Sequence, residues 1–353
     1  MLTLVMAAAL FGGAAADTGR QETPVAQASA PAAFNGRARL TSALAKVREV
    51  AFRSAEVDWT ALESELGPRA DRAGGPGDML PIYRDLLSAL GDEHSFVQAD
   101  PALVEAYVVQ AGQPLYAPKA GARRSVFSGR SVSTAQDVAL GAARARIVVV
   151  PAMSGGGAKA AEAADRLFDA VTGPGEVCGY VVDLRGNTGG NVWPMLLGLN
   201  PLLGDGDYGI ERDRTGRDAA YARIADGAAI VLEGEHKDMA MVRAGHWRRV
   251  DATTAPVALL IDGLTASSGE GVAVAFQGRP NTRTFGETTY GVASSNLGVP
   301  VEDDINLVVT VAMMVDRQGH IYPQGIAPDT VADAHATREA ALVWLQAQPG
   351  CAP

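Results

Sequence analysis

The stretch PVALLIDGLTASSGEGVAVAF, residues 256–276, joins an apolar run to a helix of small residues through a polar loop. PVALLI predicts a buried strand, and GEGVAVAF predicts a helix. The loop between them contains Ser267 and, three residues later, Glu270, which is the S-x-x-E spacing of a capping box. A serine at a strand-to-helix junction is either a helix cap or a nucleophile, and the two roles are compatible.

Strands and helices alternate on both sides of this stretch. RIVVVP and GYVVDL are predicted strands before it, AKAAEAADRLFDAV and VWPMLLGL are predicted helices, and INLVVTVAMMV is a predicted strand after it. This order predicts an α/β domain with a largely parallel sheet over residues 146–335. Residues 336–353 are expected to form a closing helix and a tail.

The residues before this core divide by composition. MLTLVMAAALFGGAAAD predicts a signal peptide over residues 1–16, which leaves open whether the segment is cleaved or anchors the chain. Residues 17–34 are expected to be a linker, 35–100 a small domain of about three helices, and 101–145 connecting strands and a loop. The protein is therefore expected to be exported to the periplasm or outside the cell, with no stable membrane insertion after signal cleavage.

Charge and cysteine content exclude several classes of partner. The net charge of -10 over 353 residues offers no basic surface for nucleic acid. No H-E-x-x-H motif or cysteine cluster predicts a metal, and no cofactor is expected.

Cys178 opens a predicted strand and Cys351 lies in the tail, and two separate thiols are favoured over a disulfide.

A second polar loop, DLRGNTGGN at residues 183–191, also follows a predicted strand. The carboxyl ends of parallel strands meet at one edge of the sheet, where active sites of α/β proteins collect. Gly189 and Gly190 allow positive φ angles, with which the backbone can direct N–H groups at a ligand. Such donors are what an oxyanion needs.

A nucleophilic serine also needs a base. The four lysines, Lys46, Lys119, Lys159 and Lys237, all precede Ser267. Among the histidines, His94 stands out in LGDEHSFV after the third predicted helix, where it is either a base or a cation near a helix end.

Four motifs in order resemble those of the tail-specific and C-terminal processing serine peptidases. They are YVVDLRGNTGGNVWPML, VALLIDGLTASSGE, GRPNTRTFGETTYG and DRQGHIYPQGIAPD, and LGDEHSF is similar to the N-terminal motif of the family. The resemblance covers about residues 146–330. It implies a ClpP/crotonase-like α/β core with a small N-terminal helical domain, in the branch without a PDZ domain that includes the nisin-resistance peptidase. The implied activity is hydrolysis of peptides or unfolded protein segments.

The same resemblance implies the roles of individual residues. Ser267 is the implied nucleophile and His94 the implied base, and the oxyanion donors fall on Ser268 and on Gly189 or Gly190.

The sequence departs from the family at three positions. Val292 stands where Ser-Lys members have lysine, which excludes a Ser-Lys mechanism. Tyr322 stands where some relatives have a glutamate, and Glu93 stands where they have a supporting hydroxyl. The group that orients His94 is therefore left open.

Two other functions are weighed against the peptidase. One is an inactive protein that binds peptides or hydrophobic ligands on the same fold. The other is a crotonase-like acyl-CoA enzyme, which the signal-like start and the lack of basic residues near the glycine loop disfavour. The sequence leaves the substrate and the oligomeric state open.

Overall fold

The computed structural model describes residues 34–116 and 125–352. The predicted signal peptide, nearly all of the predicted linker and residues 117–124 lie outside the described residues. The described chain divides into a small unit, residues 34–116 with 297–309, and a large unit, residues 125–296 with 310–352. Each unit has its own hydrophobic core.

The elements follow one another along both units. The helices are α1 (Gly36–Val50), α2 (Trp59–Ala70), α3 (Pro76–Ser88), α4 (Pro101–Ala111), α5 (Gly157–Thr172), α6 (Val192–Gly198), α7 (Asn200–Leu203), α8 (Ser268–Phe276) and α9 (Thr337–Gln346), with a 3₁₀ turn at Ser54–Glu56. The strands are β1 (Phe96–Ala99), β2 (Thr134–Leu140), β3 (Ala143–Val149), β4 (Gly179–Asp183), β5 (Gly206–Asp213), β6 (Asp218–Ala225), β7 (Ala228–Val231), β8 (Ala240–Arg243), β9 (Val257–Ile261), β10 (Thr282–Gly286), β11 (Ser294–Glu302), β12 (Ile305–Met314) and β13 (Thr330–Val331).

The small unit is formed by α1 to α4 with β1 and the tip of the β11–β12 hairpin. Strand β1 pairs antiparallel with the first half of β12, with Phe96 opposite Val308. Helices α1 to α3 occupy the three predicted helical segments, and each has a buried apolar face. Helix α4 was not predicted, because none of its residues is buried and its sequence has no apolar stripe that could indicate a packed face.

The large unit contains a six-stranded sheet in the order β13-β10-β9-β4-β3-β2. Every pair in it is parallel except β2 with β3. The central strands β4 and β9 are buried along their whole length, as expected for continuous apolar runs covered on both faces of a sheet. The prediction of a largely parallel sheet is confirmed for this layer.

A second, antiparallel sheet was not predicted as such. Strands β5 to β8 pair in sequence order, and the second half of β12 pairs antiparallel with β5. The segment INLVVTVAMMV therefore forms a strand, but in this sheet rather than in the parallel one. Its uninterrupted apolar run indicates burial and cannot distinguish between the two pairing directions.

The two cysteines form a disulfide, so the prediction of separate thiols was wrong. Cys178 lies just before β4 and Cys351 just after α9, and their Cα atoms are 5.1 Å apart. Helix α9 packs against β4 and β9 through the fully buried side chains of Ala341 and Leu345. This long-range packing brings together two residues separated by 173 positions, and no local pattern reveals it.

Candidate active site

Two loops meet at the carboxyl ends of the adjacent parallel strands β4 and β9. The Oδ1 atom of Asp262 accepts a hydrogen bond from the N–H of Gly186 at 3.0 Å. The N–H of Ala266 donates to the carbonyl of Asn187 at 2.9 Å. These bonds hold the loop that carries Ser267 against the glycine loop, as the order of the strands predicts.

Ser267 lies at the turn between β9 and α8 in a backbone conformation that non-glycine residues rarely adopt. Its φ is 52° and its ψ is -120°. Such a conformation costs on the order of 1–3 kcal/mol and persists only where the surroundings enforce it. A serine held on a sharp strand-to-helix turn is the geometry of a nucleophile elbow.

The side chain of Glu270 enforces the turn. This fully buried carboxylate accepts a hydrogen bond from the N–H of Ser267 at 3.0 Å, which realises the capping-box spacing. It also accepts from the hydroxyl of Thr289 and from the N–H groups of Gly291 and Val292. Burial raises the pKa of Glu270, and these hydrogen bonds act against that rise. The cap and the nucleophile are therefore compatible in one turn.

The glycine loop passes directly beside Ser267. Gly189 and Gly190 have φ angles of 105° and 106°. A Cβ atom on Gly189 would lie 2.8 Å from the Cβ of Ser267, and one on Gly190 would lie 2.0 Å from the carbonyl oxygen of Met153. Only glycine fits at these positions, for reasons of both backbone angle and space.

The backbone donors around Ser267 differ in their hydrogen bonds. The N–H of Gly189 donates to Oδ1 of Asn187 at 2.9 Å and is therefore occupied. The N–H groups of Gly190 and Ser268 have no acceptor within the residues that the structure describes. Ser268 is the first residue of α8, where N–H groups lack a partner inside the helix. Its hydroxyl donates to the carbonyl of Gly190 at 2.6 Å and ties the two positions together.

His94 lies in the small unit, between α3 and β1. Its backbone N–H donates to Oδ1 of Asp92 at 2.9 Å, and the N–H of Ser95 donates to the same oxygen. Burial lowers the pKa of the His94 imidazole to about 4, against the opposing effect of the Asp92 carboxylate. The ring is therefore neutral at pH 7, which is the form that can accept a proton.

Tyr322 belongs to a separate polar cluster of the large unit. Its hydroxyl donates to Oδ2 of the buried Asp316 at 2.5 Å, and the ring of His320 contacts the same oxygen at 3.2 Å. Burial raises the pKa of Tyr322, and the hydrogen bond to Asp316 adds to the rise. The hydroxyl is thus protonated at neutral pH and engaged with Asp316.

Sequence reasoning missed two residues that hold these loops. The side-chain amide of Asn187 donates to the carbonyls of Val150 and Pro151, while its oxygen accepts from Gly189. The hydroxyl of Thr289 donates to Glu270 and accepts from the N–H of Ile326. Asn187 was visible as the one amide between the first two glycines of the loop, but nothing in the local pattern indicated Thr289.

The described residues contain neither a candidate metal centre nor a candidate membrane-spanning helix. Across residues 34–116 and 125–352, no group of three or more His, Cys, Asp or Glu side chains could hold a metal ion. In the same residues, no helix is both long enough and apolar enough to cross a membrane.

Comparisons with known proteins place this site in context. Residues 146–332 match the model of peptidase family S41. The chain is 24% identical over 311 residues to the nisin-resistance protein of Lactococcus lactis subsp. lactis. This alignment covers 87% of this chain and 86% of that protein.

Two solved structures share the fold. A lipoprotein from Streptococcus agalactiae matches with a TM-score of 0.66 and 20% identity, over 91% of this chain and 99% of that one. The photosystem II D1 C-terminal processing protease matches with a TM-score of 0.57 and 16% identity, over 91% and 99% of the two chains. The predicted fold, an α/β core with an N-terminal helical segment, is confirmed.

Proposed function

Since the chain belongs to peptidase family S41 and is a serine-type peptidase, we propose that it is an exported endopeptidase that uses Ser267 as nucleophile and His94 as base. The oxyanion donors in this proposal are the N–H groups of Ser268 and Gly190. Gly189 is left out because its N–H already donates to Asn187. The substrates are peptides or unfolded protein segments.

The proposed reaction has two halves. The hydroxyl of Ser267 attacks the scissile carbonyl carbon while His94 takes the hydroxyl proton, and the tetrahedral oxyanion accepts hydrogen bonds from Ser268 and Gly190. His94 then gives the proton to the leaving amine. A water molecule, deprotonated by His94, hydrolyses the acyl-enzyme and restores the serine.

One observation carries the proposal. Ser267 occupies a rare backbone conformation beside the two N–H groups that have no acceptor in the described part of the chain. A simple helix cap would need neither the strained turn nor the close approach of the glycine loop.

A fluorophosphonate probe, which reacts with activated serines, tests this assignment. The wild-type protein should be labelled, and Ser267→Ala should lose both labelling and peptide hydrolysis, the latter by at least about 10⁴-fold. Ser268→Ala is the matched control, because it removes a neighbouring hydroxyl and keeps the backbone N–H. Labelling that survives in Ser267→Ala, or that is lost only in Ser268→Ala, would contradict the assignment.

The disulfide supports the proposed export. Disulfides persist in the periplasm and outside the cell, whereas cytosolic thiols are kept reduced. Protein taken from acid-quenched cells of its source should therefore resist alkylation at Cys178 and Cys351 until a reductant is added. Complete alkylation without reductant would argue against an oxidising compartment.

A further inference from the structure

A carboxylate lies in the antiparallel sheet of the large unit, on strand β5, which packs against helix α8. Glu211 of β5 stands directly opposite Met314 of β12. Side chains of such opposed residues project from the same face of a sheet, with Cβ atoms about 4.5–5.5 Å apart. Glu211 and Met314 are therefore neighbours on one face.

Met314 connects this face to helix α8. Its Sδ atom lies 3.2 Å from where a Cβ of Gly271 would be, and a Cγ2 atom of Val192 lies 3.3 Å from the same point. Gly271 follows Ser267 by four residues and donates its N–H to the Ser267 carbonyl at 2.9 Å. Gly271 therefore lies in the first turn of α8, directly after Ser267. Met314 thus approaches the first turn of α8, which follows Ser267, and Glu211 lies next to Met314.

Val192 connects this region of α8 to Gly190, one of the proposed oxyanion donors. It is the first residue of α6 and comes two residues after Gly190. The side chains of Val192 and Met314 both approach Gly271, so the glycine loop and the Glu211 face converge there.

Within the residues that the structure describes, the carboxylate of Glu211 has a single hydrogen-bond partner, the hydroxyl of Ser295. Ser295 donates its Oγ hydrogen to Oε1 of Glu211 at 2.6 Å. In the described ranges, no Lys, Arg or His forms an ion pair with Glu211. Burial raises its pKa, and the hydrogen bond from Ser295 opposes the rise. A partly buried carboxylate without a paired cation is energetically unfavourable. Glu211 is therefore a candidate for binding a cationic group of the substrate.

We propose that Glu211 selects substrates with a lysine or arginine side chain adjacent to the scissile bond, an inference that rests on the proposed peptidase function. A basic side chain would form a charge-assisted hydrogen bond with the carboxylate. Met314 would contact the aliphatic part of that side chain. Glu211 acts here as a specificity-determining residue and takes no part in bond cleavage.

The test uses pairs of fluorogenic peptides that differ at a single residue, which is lysine in one peptide and norleucine in the other. The varied residue lies either immediately before or immediately after the cleaved bond. Norleucine keeps the aliphatic chain and lacks the charge. At one position the wild-type enzyme should prefer lysine by about 10-fold or more in kcat/KM, the size of a charge-assisted hydrogen bond. Glu211→Gln, which still accepts from Ser295, should reduce this preference to within about threefold while leaving norleucine peptides within about twofold of wild type.

The exposed Glu176→Gln is the matched control and should keep the full preference. The proposal is overturned if the wild-type enzyme shows no lysine preference at any position, or if Glu211→Gln retains it. An equal loss for lysine and norleucine peptides would overturn it in favour of a structural role. Failure of the peptidase proposal itself looks different, since then neither peptide is cleaved and the fluorophosphonate probe does not react.

Discussion

The turn that carries Ser267 and the segment that carries His94 are held in different ways. The Ser267 turn is fixed by a buried carboxylate with four donors and by a glycine loop at van der Waals distance. In the His94 segment, Asp92 accepts from two consecutive backbone N–H groups. An oxyanion site depends on donors that are fixed before the substrate arrives, whereas a base depends on a ring that stays neutral. The difference between the two regions matches the two tasks that the proposed function assigns to them.

Replacing His94, the proposed base, gives the largest effect expected from this contrast. His94→Ala should lower kcat/KM by at least about 10²-fold, because a positioned base contributes 10²–10⁴-fold. The variant should remain folded at the assay temperature, so that the loss of rate can be assigned to the missing imidazole. Steady-state kinetics and a thermal melt measure both. A variant with nearly wild-type activity would remove His94 from the mechanism.

The pH profile sharpens the same comparison. Because the pKa of His94 is lowered to about 4, the ring stays neutral as the pH falls through 6.5, where an ordinary histidine would be half protonated. The activity that depends on His94 should therefore hold down to about pH 5 and fall as the pH drops through 4. Between pH 6.5 and 4, the His94 side chain of the unfolded chain binds a proton more readily than that of the folded chain. The free energy of unfolding therefore also falls as the pH drops from 6.5 to 4. Activity that falls with a midpoint near 6.5 would contradict the burial of this ring.

A smaller effect is expected from the buried carboxylate behind Ser267. In Glu270→Gln, an amide NH₂ replaces one acceptor oxygen and faces either the N–H of Gly291 or the N–H groups of Ser267 and Val292. At least one buried donor is then unsatisfied, which should lower the free energy of unfolding by about 1–3 kcal/mol or more. Urea unfolding measures the change, and the exposed Glu339→Gln in α9 serves as the control. Equal stability of the two variants would mean that Glu270 does not enforce the turn.

The two regions also differ in how far the sequence predicts them. The strand, loop and helix around Ser267 were predictable because the apolar run, the S-x-x-E spacing and the following helix are all local. The difference between the occupied N–H of Gly189 and the N–H of Gly190, which has no acceptor among the described residues, was not predictable, because it depends on the amide of Asn187. The neutral state of His94 was also out of reach, since burial decides it.

The antiparallel sheet shows the same limit. Strand β5, GDYGIERD, mixes glycine and charged residues, and most of its positions are neither fully buried nor fully exposed. Such a strand gives no clear alternation of apolar and polar residues. Its pairing with β12 and the place of Glu211 opposite Met314 emerge only when the chain is folded.

The bond between Cys178 and Cys351 turns the intervening chain into a covalent ring. The glycine loop, Ser267, Ser268 and Glu270 all lie inside this ring. A peptidase is exposed to cleavage by its own copies, and cuts fall mostly in exposed loops. A single cut at an exposed loop within the ring, such as residues 233–235, would open the chain without releasing either part. The pieces would remain one molecule under non-reducing conditions and would separate only after reduction.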